Sequence, residues 1–226
     1  MRAAGKHGNS GACFRHAHCV TVSFCACQAL TQMSEISAET DQSPPNLSSR
    51  LSPIFAAPSE RVGLFIDGAE LYATTKALGF QVDFKRLLNL FQRTTRLVRA
   101  HYYTLLQDET THAPSRQLVD WLDYNGFTTV TKSAKEHSSF NRPLPDCRMH
   151  VELAVDAMQL ANGLDHIAIF SGHPDFRSLV AVLQRQGKRV SVCSTLSTRP
   201  AMVSDELRRQ ADHFIELMDL ADEIRR

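Results

Sequence analysis

Residues 61–72 read RVGLFIDGAELY and decide the fold class of this chain. Apolar residues occupy both the odd and the even positions from residue 62 to residue 66, which predicts a strand covered on both faces of a parallel sheet. The run ends at Asp67, and Gly68 allows a sharp turn into a helix expected over residues 69–78. A carboxylate at this place either caps the following helix or lies where open α/β sheets carry their chemistry.

The remainder of the chain alternates between strand and helix patterns. Further strands are predicted at residues 97–105, 127–131, 167–170 and 189–194. The helix before strand four is predicted at 149–161, and the last helix, after strand five, at 203–218. This alternation predicts a three-layer α/β sandwich around a parallel sheet of about five strands, in the order 3-2-1-4-5. That order makes strands one and four neighbours, so Asp67 and the loop at 173–175 are expected to converge on one crevice.

Composition describes an ordinary α/β protein with a long tail. The 226-residue chain has a formal net charge of +1, so binding of nucleic acid requires a local basic stripe rather than overall basicity. Residues 1–58 are rich in Ser, Ala, Thr and Pro without periodicity, which predicts a disordered tail. One domain is expected over residues 59–220, followed by a short end at 221–226. Met33 is an alternative start.

Cysteine usage and hydropathy indicate the compartment. Of six cysteines, only Cys147 and Cys193 lie in the expected domain, and the spacings match no zinc motif. We interpret these two as free thiols of a reducing compartment. No run of 18 apolar residues occurs, so no membrane span is predicted. We therefore expect a cytoplasmic protein.

Two carboxylates at adjacent strand ends indicate a metal site. Asp67 ends the first strand, Asp175 lies in the exit loop of the fourth, and the start of the helix over 149–161 joins them. Oxygen ligands suit hard divalent ions such as Mg²⁺, which polarise a phosphoryl oxygen and ionise the attacking water. The pattern predicts a metal-assisted phosphodiesterase.

Six sequence blocks in a fixed order carry a family resemblance. They are FIDGAELY (65–72), WLDYNGF (121–127), HVELAVDAM (150–158), DHIAIFSGHPDFRSLV (165–180), GKRVSVCST (187–195) and MVSDELRRQADHFIEL (202–217). Together they resemble the NYN-domain family, specifically its LabA-like bacterial branch, within the PIN-like nuclease superfamily. The resemblance covers about residues 60–220 and implies the PIN-like α/β fold and metal-dependent ribonuclease activity.

The resemblance also implies roles for residues around the crevice. Asp67 matches the family's first-strand aspartate, and Asp175 matches the second aspartate of its SGDGDF motif. Asp156 and Glu152 match as well, and Glu70 stands where the family has an asparagine. Asp67, Asp175 and Asp156 are thereby implied as ligands of a divalent metal ion, Mg²⁺ or Mn²⁺, and Glu70 is expected to add a further carboxylate to this set.

The chain departs from the family pattern around that crevice. His173 replaces the first aspartate of the SGDGDF motif, and His150 replaces the aspartate that opens the long helix; Asp146 and Cys147 replace a lysine and a glycine. In one interpretation His150 and His173 act as substituted ligands or proton carriers beside Asp67, Asp175 and Asp156, and the metal preference moves toward Mn²⁺ or Zn²⁺. In the other, catalysis is lost and the fold serves as an RNA- or protein-binding module.

RNA is the partner that the resemblance favours. The side chains expected to contact it are Ser171, Arg148, Lys132 and Lys135, with Arg142 nearby in the same loop region. A homodimer and a protein partner stay open. The aromatic residues His101, Tyr102, Tyr103 and Trp121 are expected to pack in or beside the core rather than to stack on bases.

Overall fold

A parallel sheet flanked by helices forms the part of the chain described by this computed structural model, which is residues 59–106, 114–133 and 148–226. The strands are β1 (Arg61–Asp67), β2 (Arg96–Leu106), β3 (Thr128–Ser133), β4 (His166–Phe170), β5 (Arg189–Ser194) and β6 (His213–Glu216). The helices are α1 (Gly68–Ala77), α2 (Phe84–Thr94), α3 (Pro114–Tyr124), α4 (His150–Leu160), α5 (Phe176–Arg185), α6 (Asp205–Gln210) and α7 (Leu217–Ile224), with a 3₁₀ turn at Ala161–Gly163. The tail expected over residues 1–58 lies outside the described residues.

β1 is the centre of the sheet, because it pairs in parallel with β2 on one side and with β4 on the other. Leu64 and Ile66 are fully buried in a cluster with side chains of α1, α2, α3 and α7. Phe65, also fully buried, points to the opposite face and packs with side chains of α4, α5 and α6. The strand is apolar on both faces because helices cover both of them, and the expected three-layer α/β architecture is confirmed.

The sheet contains one strand more than expected. Its order is β3-β2-β1-β4-β5-β6, so the expected order 3-2-1-4-5 is confirmed and β6 is added beside β5. Among the described residues, no helix combines the length and the apolar character that crossing a bilayer requires.

The prediction of one continuous helix over residues 203–218 is wrong. α6 ends at Gln210, and the segment that follows pairs in parallel with β5 as β6. Asp212 fixes the start of this strand, since its carboxylate accepts a hydrogen bond from the backbone nitrogen of Val190 at 2.8 Å. Ile215 is buried in the core. The backbone hydrogen bonds to β5 and this apolar contact therefore favour a strand over the helix that the periodicity predicts. α7 then continues to Ile224, which is fully buried, past the boundary expected at residue 220.

The aromatic residues of β2 pack as expected. Tyr103 is fully buried, and His101 and Tyr102 are nearly so, with His101 stacked on Phe65 at a ring-centroid distance of 5.2 Å. Trp121 of α3 departs from the expectation, because 41% of its surface is exposed.

A buried polar network lies at the edge of the sheet where β4 and β5 begin. His166 is fully buried, and its Nε2 lies 2.7 Å from Ser191 Oγ. Its Nδ1 lies 3.7 Å from Glu60 Oε2, and Glu60 also pairs with Arg189. Burial, reinforced by the positive charge of Arg189, lowers the pKa of His166 to about 4. The folded state therefore holds this imidazole neutral.

We expect the free energy of unfolding to decrease as the pH falls from about 6.5 to about 4. The unfolded chain binds a proton at an ordinary histidine pKa near 6.5, whereas folded His166 resists protonation down to its lowered pKa. The stabilisation contributed by neutral His166 is complete above the pKa of the unfolded chain. By about pH 4 the free energy of unfolding has decreased by about 3 kcal/mol. Urea unfolding at several pH values measures this dependence.

The matched variant is His166→Asn, which keeps a polar group opposite Ser191 but does not titrate. Glu60, Arg189 and His213 face the ring in both proteins, so the two chains differ only at residue 166. The variant should be less stable at neutral pH and should lose less stability on acidification. Parallel pH profiles for the two proteins would contradict the prediction.

Candidate functional site

Three segments that are distant in sequence meet at the carboxyl edge of the sheet. β1 ends at Asp67, and its neighbour β4 ends at Phe170, which pairs with Ile66. α4 begins at His150 and lies against β1 on the face occupied by Phe65. The strand order reverses between β1 and β4, and crevices at such a point are the usual ligand sites of open α/β sheets.

Asp67 has two separate contacts and is only 5% exposed. Its Oδ1 accepts a hydrogen bond from the backbone nitrogen of Glu70 at 3.2 Å, which caps α1. Its Oδ2 lies 3.3 Å from His150 Nε2. The two interpretations left open by the sequence, helix cap and carboxylate facing the crevice, therefore both hold. Gly68 is required here, because a Cβ would lie 2.5 Å from side-chain atoms of Tyr102.

His150 stands between two carboxylates. Its Nε2 faces Asp67, and its Nδ1 lies 3.1 Å from Asp175 Oδ2. The ring also packs on Phe176 at a centroid distance of 4.8 Å, and its side chain is only 10% exposed. Nε2 is buried but out of hydrogen-bond alignment with Asp67. One imidazole thus connects the end of β1 with the start of α5.

His173 completes a cluster on the other side of Asp175. Its Nδ1 lies 3.4 Å from Asp175 Oδ2, and its ring lies 4.3 Å from that of His150, centroid to centroid. One ligand atom from each of His150, His173 and Asp175 lies within 4.8 Å of the others. Such a group of nitrogen and oxygen donors can hold a metal ion.

The exit loop of β4 is held in place by short backbone contacts. Ser171 is buried, and its Oγ accepts a hydrogen bond from the backbone nitrogen of His173 at 3.3 Å. The carbonyl oxygen of Gly172 accepts a hydrogen bond from Ser204 at 3.0 Å. A Cβ on Gly172 would lie 1.8 Å from the carbonyl oxygen of Met202, so only glycine fits. These contacts fix the direction in which His173 and Asp175 project.

The charges of the cluster shift its pKa values in different directions. Burial opposes protonation of His150, but its interactions with Asp67 and Asp175 outweigh burial and raise its pKa. Burial and the neighbouring charge of His150 lower the pKa of His173. The hydrogen bond from His150 lowers the pKa of Asp175, although 64% of that side chain is exposed. Burial and the charge of Asp67 raise the pKa of Glu70.

A cavity of about 240 Å³ adjoins Asp67 and His150. Its lining residues are Asp67, Ala69, Glu70, Tyr103, Thr104, Leu105, Arg148, Met149 and His150. It therefore combines two carboxyl groups, one imidazole and the exposed guanidinium of Arg148 with the end of β2. The sequence did not predict that Tyr103, Thr104 and Leu105 of β2 line this cavity. The carboxyl ends of parallel strands are the usual ligand sites, and β2 ends at the same edge of the sheet.

Several other predicted site residues have partners of their own. The hydroxyl of Tyr103 donates a hydrogen bond to Asp156 Oδ2 at 3.0 Å, two turns along α4 from His150. Lys132 of β3 pairs with Glu152. Asp156 and Glu152 thus face β2 and β3, and their predicted roles stay predictions. Lys135, Arg142 and Asp146 lie outside the described residues.

Comparison with known proteins gives a consistent result. The family model described as NYN domain matches residues 61–219. A curated relative, the "Low amplitude and bright protein LabA" of Synechococcus elongatus, is 29% identical over 162 residues, covering 71% of this chain and 85% of the relative. The crystal structure of a protein of unknown function from Vibrio parahaemolyticus superposes with a TM-score of 0.57 at 22% identity, covering 74% of this chain and 97% of that one.

We expect Gly172→Ala to destabilise the protein by more than about 2 kcal/mol, because the new Cβ must displace the backbone at Met202. Thermal or urea unfolding measures the change. The matched control is Gly163→Ala, where an added Cβ meets nothing within 4 Å. Equal stability of the two variants would show that the loop accommodates a side chain at residue 172.

Proposed function

Because the chain belongs to the NYN domain family, and thus carries a PIN-like nuclease-type domain, we propose that it is a metal-dependent ribonuclease that hydrolyses RNA phosphodiester bonds. The observation that supports this most directly is the convergence of Asp67, His150, His173 and Asp175 at the carboxyl edge of β1 and β4. A cluster with perturbed pKa values at the switch point of an α/β sheet is a recurrent arrangement of active sites.

The donor set fits a divalent cation. His150, His173 and Asp175 offer two imidazole nitrogens and a carboxylate oxygen within 4.8 Å of one another. Asp175 is largely exposed, so a ligand approaching from solvent can reach the cluster. A cation bound there would polarise a phosphoryl oxygen and supply a nucleophile derived from water.

The protein's own residues supply the remaining requirements. Arg148 lines the cavity beside Asp67 and Glu70, and its guanidinium can bind a phosphate group through two parallel hydrogen bonds. Lys132 contributes less to phosphate binding, since its ammonium is paired with Glu152.

The second candidate function is binding of RNA without cleavage. It is favoured by the bridging position of His150, whose nitrogens already face one oxygen of Asp67 and one of Asp175. In this alternative the imidazole neutralises the two carboxylates and no ion is needed to hold the site together. The test of the proposed function separates the two.

We expect the full chain to cleave single-stranded RNA in the presence of a divalent ion and to stop when a chelator is added. Asp175→Asn should slow cleavage at least about a hundredfold, since a metal centre contributes several kcal/mol and each 1.4 kcal/mol is tenfold in rate. Gel-resolved cleavage of a labelled RNA with Mg²⁺, Mn²⁺, Co²⁺ or Zn²⁺ measures the rates. Asp175 is exposed, so the variant should fold normally.

The control is Asp222→Asn, which removes an exposed carboxylate in the last turn of α7 and should not affect the rate. A chain that binds RNA but does not cleave it with any of the four ions would favour the second candidate. A rate that is the same in Asp175→Asn as in the unmodified chain would assign any observed cleavage to another site or to a contaminant.

We also expect Arg148→Ala to weaken RNA binding and to reduce its salt dependence. Loss of one phosphate contact should lower the slope of log affinity against log salt by about 0.7 for single-stranded RNA. Fluorescence anisotropy at several salt concentrations measures this slope. Arg93→Ala, which removes a guanidinium at the end of α2 paired with Glu223, is the matched control. An unchanged slope in Arg148→Ala would remove Arg148 from the RNA contact.

A further inference from the structure

We propose that the metal centre consists of His150, His173 and Asp175, that Asp67 orients His150 from its other nitrogen instead of binding the ion, and that the centre prefers Zn²⁺ or Co²⁺ to Mg²⁺. The inference rests on the proposed function for the use of the ion. It differs from the set implied by the family resemblance, in which Asp67 is a ligand.

The distances between ligand atoms fit a small tetrahedral ion. Two ligands bound to Zn²⁺ at about 2.0–2.1 Å with tetrahedral angles are about 3.3 Å apart. Asp175 Oδ2 lies 3.1 Å from His150 Nδ1 and 3.4 Å from His173 Nδ1. Two of the three edges of such a ligand triangle therefore already have the required length.

The orientation of His150 excludes Asp67 from the same ion. Nδ1 faces Asp175 and Nε2 faces Asp67, and the two nitrogens of an imidazole point away from each other. An ion bound to Nδ1 beside Asp175 therefore leaves Nε2 to donate its proton to Asp67. A carboxylate that holds the second nitrogen of a ligating histidine is the usual support of metal sites.

The burial of Nε2 is a second observation in favour of this arrangement. The side chain of His150 is nine-tenths buried, and Nε2 lacks an aligned hydrogen bond although Asp67 Oδ2 lies 3.3 Å away. A buried donor left in this state is unfavourable. An ion bound to Nδ1 places the ring proton on Nε2, which faces Asp67, so metal binding and a hydrogen bond to Asp67 support each other.

His173 presents a lone pair on the required side. The backbone N–H of Asp175 points to its Nδ1 at 3.4 Å, so in this geometry Nδ1 carries no proton and Nε2 does. The contact is long, and an ion can replace it at little cost. Asp175 itself projects into solvent, which leaves room for a water molecule or a phosphate oxygen as a further ligand.

The donor types determine the preferred ion. Mg²⁺ requires near-octahedral coordination by oxygen and seldom binds imidazole, whereas Zn²⁺ and Co²⁺ accept two imidazoles and one carboxylate with an open position. The two histidines therefore shift selectivity away from Mg²⁺ because nitrogen replaces oxygen at two of the three positions.

The test measures metal binding by the full chain, independently of any activity. Isothermal titration with Zn²⁺ and Mg²⁺ gives affinities, and Co²⁺ gives a visible absorption spectrum whose intensity reports four-coordinate geometry. We expect one Zn²⁺ or Co²⁺ site that is at least about a hundredfold weaker in His173→Ala and in Asp175→Asn, and Mg²⁺ binding that is weaker than Zn²⁺ binding. Asp222→Asn should bind like the unmodified chain.

Asp67→Asn distinguishes an orienting residue from a ligand. Asparagine caps helices as well as aspartate does, so α1 should remain intact. If Asp67 orients His150, the variant should bind about 10–100-fold more weakly with an unchanged Co²⁺ spectrum. A loss as complete as in Asp175→Asn, or a changed spectrum, would make Asp67 a ligand and overturn the proposed arrangement.

Further outcomes are separable from the proposed function. Thiolate ligation by cysteines gives an intense charge-transfer band with Co²⁺ that a His/Asp centre lacks; a site showing that band and unaffected by His173→Ala contradicts the inference. Mg²⁺ binding as tight as Zn²⁺ binding contradicts the selectivity. If the centre binds Zn²⁺ as expected and RNA remains uncleaved with every ion, the proposed function fails and the metal centre stands. If RNA is cleaved but His173→Ala binds Zn²⁺ as tightly as the unmodified chain does, the proposed metal centre fails and the proposed function stands.

Discussion

The contact of one imidazole with two carboxylates is the constraint on which the crevice depends. Asp67 and Asp175 come from different strand ends, and like charges brought together without a cation between them repel strongly. His150 lies between them and contacts each through a different nitrogen. Its ring also packs on Phe176, so the contact fixes the start of α4 against both β1 and α5. A polar interaction and an apolar one therefore hold the same side chain in one orientation.

The parallel sheet explains why this constraint lies at one edge. Helices cover both faces of β1, so polar groups of the central strands have access to solvent at the strand ends. At the carboxyl edge the chain turns directly from β1 into α1, and Asp67 caps that helix with one oxygen while the other oxygen faces His150. At the opposite edge the buried network of His166, Ser191 and Glu60 is closed and neutralised by Arg189. The edge where β4 and β5 begin therefore stabilises the fold, and the carboxyl edge carries the candidate site.

The sequence predicted those features that depend on local pattern. The alternation of strands and helices predicted the three layers and the order of five strands. The apolar run of β1 predicted helices on both faces, because a strand buried on two faces needs apolar residues at successive positions. β6 was missed because its four residues are stabilised by pairing with β5 and by the bond from Val190 to Asp212, neither of which is visible in a periodicity. Similarly, the burial of His150 at a helix start follows from its contact with Phe176, and that contact depends on how α4 and α5 pack. The attachment of Asp156 to Tyr103 again joins residues 53 positions apart.

The exchange of aspartate for histidine changes what holds such a crevice together. With carboxylates at residues 150 and 173, as the family resemblance implies for other members, four negative groups would face one another, and a bound cation would relieve their repulsion. With imidazoles there, Asp67 and Asp175 have internal partners, and the loop geometry is secured by His150 and by the glycine-dependent turn at Gly172. The crevice is thus preorganised before any ligand binds. A preorganised set of two nitrogens and one oxygen discriminates among ions by donor type, whereas a cluster of carboxylates discriminates mainly by charge. The substitutions therefore change the donor atoms that the proposed centre offers to an ion, and the fold that presents them stays the same.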